Sequence, residues 1–112
     1  MTALRTFSAV IFIVIGTYTA IVGANHGYGL FSVFFGDMMA MGWPGQFNLD
    51  FMFMLALSAL WVSWRHQFSG AGLLLGLLAF LGGAAFLSIY LFVVAGQSND
   101  NAKELLLGRA RV

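Results

Sequence analysis

Three long apolar stretches dominate the pattern of hydrophobic and polar positions, and a short polar break closes each of them. The first runs from about Thr6 to Ala24. Its only polar groups are hydroxyls (Ser8, Thr17, Tyr18, Thr19), which can bond back to the helix's own carbonyls. Asn25-His26-Gly27-Tyr28-Gly29 then breaks the helix. The second stretch, 47–64, is nearly uncharged and roughly 27 Å long as an α-helix, close to a hydrocarbon core of about 30 Å. The third runs from about Gly72 to Ala95, after a short turn over Gln67 to Ala71. The pattern predicts three transmembrane helices, the last two antiparallel neighbours.

Leu30 to Gly42 reads differently. Leu30, Phe31, Phe34, Phe35, Met38 and Met39 are apolar, but Ser32, Asp37 and glycines interrupt them. A helix here would reach only about 20 Å, too short to span. An interfacial or re-entrant amphipathic segment is expected. Trp43-Pro44-Gly45 ends it, and Trp43 suits the headgroup level. Pro44 precedes the second span, where its missing N–H costs least. Asn48 is the expected N-cap, with Asp50 in the first turn, where the helix dipole favours an anion. Trp61 and Trp64 form an aromatic belt at the far end, with Arg65 and His66 just outside it.

Small residues recur at helical spacing. Gly16, Ala20, Gly23 and Gly27 share one face of the first span; Ala56, Ala59 and Ser63 form a stripe on the second; Gly72, Gly76, Ala79 and Gly83 form one on the third. Such faces let a neighbouring helix approach closely, inside the bundle or outside it. The tail, 96–112, opens on the polar break Gln97-Ser98-Asn99-Asp100-Asn101. A short amphipathic helix is expected over Ala102 to Leu107, ended by Gly108, with Arg109 and Arg111 beyond. It should lie on a membrane face or dock on a partner.

Composition agrees with this reading. The 112 residues are 61% hydrophobic and 8% charged, with a mean hydropathy of +0.91. A soluble domain carries about 25% charged residues, so the expected class is an all-α integral membrane protein forming one membrane domain over 1–112, with the lipid bilayer as its first partner. No basic stripe with interleaved aromatics is present, which excludes nucleic acid as a partner. The absence of cysteine excludes disulfides and thiolate metal sites. The apolar run from Phe7 to Ala24 exceeds a signal-peptide core of about 7–15 residues, and Gly23-Ala24-Asn25 is a poor cleavage site, so an uncleaved span is expected.

Charge placement bears on orientation. No lysine or arginine occurs between Thr6 and Trp64, and Asp37 and Asp50 fall in the first loop region. Arg5 and Arg65 would share the opposite face, favouring a cytoplasmic N-terminus. Three straight spans would then put Lys103, Arg109 and Arg111 outside, which argues the reverse; the short loop at Arg65 carries more weight.

Candidate chemistry is sparse. His26 and His66 are the only histidines. They follow successive antiparallel spans, so they lie on opposite faces roughly 30 Å apart, and one haem cannot bridge them. Asp37 and Asp50 could hold a cation or relay protons at the first-loop face. No nucleophile–base pair and no phosphate loop is visible. Met38, Met39, Met41, Met52 and Met54 read as apolar filler rather than a copper site. No catalytic residue, metal or cofactor is expected.

The run Asn25-His26-Gly27, the amphipathic loop, Trp43-Pro44-Gly45-Gln46-Phe47-Asn48-Leu49-Asp50-Phe51 and Trp61-Val62-Ser63-Trp64-Arg65-His66-Gln67-Phe68-Ser69 resemble short bacterial inner-membrane proteins of unknown function. The resemblance implies a three-span, multi-pass bacterial protein and carries over no active site. The expected function is a small accessory subunit that packs against other membrane-protein subunits. The alternatives are a homo-oligomeric transporter or channel with Asp37 and Asp50 at its mouth, and a haem- or pigment-associated redox subunit using His26 or His66.

Overall fold

The computed structural model describes residues 2–98 and 101–111. Met1, Asn99, Asp100 and Val112 lie outside the described residues, including the Asn99-Asp100 portion of the polar break. The chain is all-helical: α1 Thr2–His26, α2 Leu30–Met39, α3 Trp43–Arg65, α4 Gly70–Gln97, α5 Ala102–Leu107, and a 3-10 turn over Arg109–Arg111. α1, α3 and α4 are each long and apolar enough to cross a membrane. The long axis measures 45 Å, about the thickness of a bilayer with its headgroups.

α3 starts earlier than the sequence suggests. Trp43 opens it, Pro44 sits in its first turn, and extended Gly42 precedes it without a side-chain cap. Proline tolerates that place because the first-turn N–H groups have no intrahelical acceptor. Two expectations are therefore corrected. Asn48 is not an N-cap: it lies inside the helix, and its Nδ2 donates across to the carbonyl of Phe34 at 3.0 Å. Asp50 is not in the first turn of α3, which holds no acid; its side chain is exposed. The bond from Asn48 fastens α2 onto the start of α3. Gly45 permits the contact, since a Cβ there would lie 2.8 Å from the Cα of Met38. With only 10 residues, α2 reaches about 15 Å and cannot cross alone.

The main departure is in α4. Gly83 has φ 57° and ψ −140°, outside helical values, a left-handed φ that costs glycine little. The chain turns back there. Gly72, near the start of α4, packs on His66: a Cβ on Gly72 would lie 2.7 Å from His66 Cβ. Tyr90, in the second half, places its hydroxyl 2.7 Å from His66 Nε2. A straight helix would separate positions 72 and 90 by about 27 Å. Residues 70–82 therefore descend antiparallel to α3, Gly83 turns against Phe51 and Leu55, and residues 84–97 return parallel to α3. Each arm is about 20 Å long, short of a full hydrocarbon core. Gly83 thus does not extend the packing face of Gly72, Gly76 and Ala79; it makes the bend.

Burial along α1 follows the depth of this hairpin. Leu4, Arg5, Ser8, Ala9, Ile11, Ile15 and Gly16 are buried or half-buried, whereas every residue from 17 to 22 is exposed. The buried hydrophobic cluster of Val62, Ala79, Tyr90, Val94, Ala95 and Leu105 accordingly sits at the Arg65 end. The other end holds α2, the outer half of α1 and the start of α3.

Candidate functional site

Arg65 is the last residue of α3, where the helix dipole favours a cation. Its side chain turns inward and is buried. Nε donates to the carbonyl of Leu105 at 2.7 Å, Nη2 to that of Glu104 at 3.4 Å, and Nη1 to the hydroxyl of Tyr90 at 3.2 Å. Trp61 Nε1 donates to the carbonyl of Leu106 at 3.0 Å. The last carbonyls of a helix have no intrahelical donor. In α5 the carbonyls of residues 105 and 106 receive donors from α3 instead, and that of Glu104 accepts from Arg65 as well as from the N–H of Gly108 at 2.9 Å, so α3 caps α5 from outside.

The start of α5 is capped locally, by Asn101 Oδ1 accepting from the N–H groups of Lys103 and Glu104 at 3.1 and 3.3 Å. Beyond α5, Gly108 takes φ 81°. It lies so close to α3 that a Cβ would come 2.6 Å from the carbonyl oxygen of Arg65. Arg109 pairs with Glu104 at 2.7 Å and donates to the carbonyl of Gln97 at 3.2 Å. Arg111 lies 3.9 Å above the Trp64 ring and donates to the Trp64 carbonyl. Residues 104–111 are thus pinned onto the end of α3.

Behind Arg65 stands a polar chain with a defined direction. A guanidinium can only donate, so Tyr90 must accept from Arg65. Donation of the phenolic hydrogen to His66 Nε2 satisfies both groups, and this requires an unprotonated Nε2. Burial, and next the neighbouring Arg65 charge, push the His66 pKa down from its ordinary value of 6.5, which favours that neutral form. The Tyr90 ring is set edge-on to Trp61 at 5.8 Å and stacks on Phe86 at 6.0 Å.

Two of the three small-residue stripes meet here. A Cβ on Gly76 would lie 3.1 Å from the carbonyl oxygen of Ala59 and collide with Ser63, whose Oγ donates to the carbonyl of Gly72 at 3.2 Å. The α1 stripe is different. Nothing lies within 4 Å of a Cβ built on Gly16, Ala20 is exposed, and Gly23 is covered by the Tyr28 ring rather than by a helix.

The hairpin also regroups the charges. Arg5 donates its Nε to the carbonyl of Phe92 at 3.1 Å, lies 4.2 Å over that ring and packs on Gly96. All five cations of the chain, Arg5, Arg65, Lys103, Arg109 and Arg111, therefore sit at one end. This corrects the expectation that the tail cations face away from Arg65. Asp37 and Asp50 sit at the other end, on α2 and the start of α3, with exposed His26 closing α1. Trp43 is exposed there, its ring 6.2 Å from that of Phe47. Trp61 and Trp64 are more than interfacial anchors, since both receive the tail. Among the described residues, no three His, Asp or Glu side chains group to hold a metal ion.

Sequence reasoning passed over Tyr90, and with it the tail carbonyls that Arg65 and Trp61 serve. The available signal was the Gly82-Gly83 pair in mid-span, where a break folds Tyr90 back toward His66. No family model, curated protein or solved structure matches the chain.

Proposed function

We propose that this protein is a small accessory subunit of a bacterial inner-membrane complex, acting by helix packing and not by chemistry. One observation carries the reading: the Gly72, Gly76 and Ala79 stripe of α4 packs inside the bundle, whereas on α1 nothing lies within 4 Å of a Cβ on Gly16 and Ala20 is exposed. Because the α4 hairpin stops at the depth of Gly16, the outer half of α1 has no helix against its Gly16–Ala20 face. A small-residue face in lipid invites a close helix partner. The exposed apolar residues beside it, Phe12 and Ile13, give such a partner further surface.

The grouping of all five cations at one end supports an orientation in which both the N-terminus and the tail are cytoplasmic. The vacant face of α1 then lies in the outer leaflet. The natural chain has no cysteine, so Ala20→Cys supplies a single photo-crosslinker site in native membranes. A crosslink to a different membrane protein that also co-purifies in mild detergent is the expected outcome. A crosslink only to a second copy of the chain would replace this reading with self-association. No crosslink, together with a monodisperse monomer, would sink both.

A further inference from the structure

At the cationic end, between the α3–α4 turn and the tail, lies a cleft of about 330 Å³ whose walls include Arg65, His66, Gln67, Gln97, Glu104 and Arg109. Arg65 is a buried guanidinium whose acceptors are two backbone carbonyls and a phenol oxygen. No carboxylate among the described residues is in ion-pair contact with it. The Glu104 carboxylate, on the same wall, is held by Arg109. Among the described residues the cleft wall therefore carries two guanidinium groups against one carboxylate, with Arg111 just beyond. An anion placed beside a buried cation offsets the cost of burying it. Of the five N–H donors of Arg65, three are used. Arg109 keeps an outer nitrogen that makes none of its bonds to protein, and its side chain is 76% exposed.

We propose that this cleft seats a phosphate group. Two guanidinium groups share the cleft wall with Gln67 and Gln97, and guanidinium has the fork geometry and charge that phosphate oxygens accept. Arg111, next to the cleft-lining Ala110, lies over Trp64, a residue expected at headgroup level, where the phosphodiester of an anionic phospholipid is the nearest source. A soluble phosphate compound would use the same donors.

The full chain in mild detergent is titrated with phosphatidylglycerol or phosphatidylcholine and read by native mass spectrometry; a parallel titration uses inorganic phosphate. Selective retention of phosphatidylglycerol assigns the site to lipid. Binding of inorganic phosphate assigns it to a soluble compound. Arg109→Gln should weaken either by about threefold, as for an exposed charge contact. Glu104→Gln, which releases Arg109, should strengthen it by a similar factor. An ion pair that only held the tail in place would shift both variants in the same direction. That result, or no preference for phosphatidylglycerol together with no phosphate binding, overturns the proposal.

Discussion

Arg65 Nε lies 2.7 Å from the carbonyl oxygen of Leu105, forty residues further along the chain. This bond joins the end of a membrane-length helix to the C-terminal tail and is possible only because α4 turns back at Gly83. Replacing Arg65 by Met should remove three donors from the tail and from Tyr90. The expected cost is about 3 kcal/mol, typical for charge-assisted bonds lost from a buried group. Hydrogen exchange should localise the effect to residues 101–111 and spare α1. Arg65→Lys should recover little, because an ammonium cannot reproduce the fork.

Gly83→Ala tests the bend itself. A Cβ would meet the Phe51 ring at 3.1 Å in a backbone with φ 57°. With ψ −140° this conformation is adopted essentially only by glycine and costs another residue about 1–3 kcal/mol. The thermal midpoint in detergent should fall, while the helical signal in circular dichroism should be kept.

The stripes predict opposite behaviour for two glycines. Gly76→Ala sets a methyl into Ser63 and the Ala59 carbonyl and should cost about 2 kcal/mol. A Cβ on Gly16 meets nothing within 4 Å, so Gly16→Leu should leave the isolated chain unchanged to within about 0.5 kcal/mol. Co-purification should reverse the order, with Gly16→Leu losing the partner that Gly76→Ala keeps.

His66 gives the pH dependence. Its folded pKa lies below 6.5, so below that pH the unfolded chain binds the proton more readily. The stability it contributes is present above about pH 6.5 and lost as pH falls toward its folded pKa. Protonation also removes the Nε2 acceptor for Tyr90. Arg65, Glu104 and Arg109 are the other charged groups on the cleft wall. The protection factors of the tail amides, which correct for the slower intrinsic exchange at low pH, should fall as pH drops below about 6.5 in the natural chain. His66→Gln should flatten that dependence.

Much of the helical layout was legible from hydropathy and spacing. The three helices of spanning length, the short α2 and the α5 helix ended by Gly108 all follow from local pattern. The stripes on α3 and α4 also met as small-residue faces do. The hairpin was not legible, because glycine is common in membrane helices and a hydropathy window cannot detect one reversed φ. That single residue also decided the charge count. With α4 straight, Arg5 and Arg65 oppose Lys103, Arg109 and Arg111; with α4 folded, all five agree. Asn48 misled for a related reason. Its residue type suits a cap, but Pro44 had already started the helix and freed the amide to reach Phe34.

Sided labelling tests the fold-back most directly. Single cysteines replace Ala40 after α2, Ser69 in the α3–α4 turn and Ala110 in the tail, and intact membranes are treated with a membrane-impermeant maleimide. Ser69→Cys and Ala110→Cys should react from the same side, and Ala40→Cys from the other. Reaction of Ala110→Cys from the side of Ala40→Cys, opposite Ser69→Cys, would mean that α4 crosses the membrane as one rod, contradicting the hairpin and the vacant α1 face that depends on it.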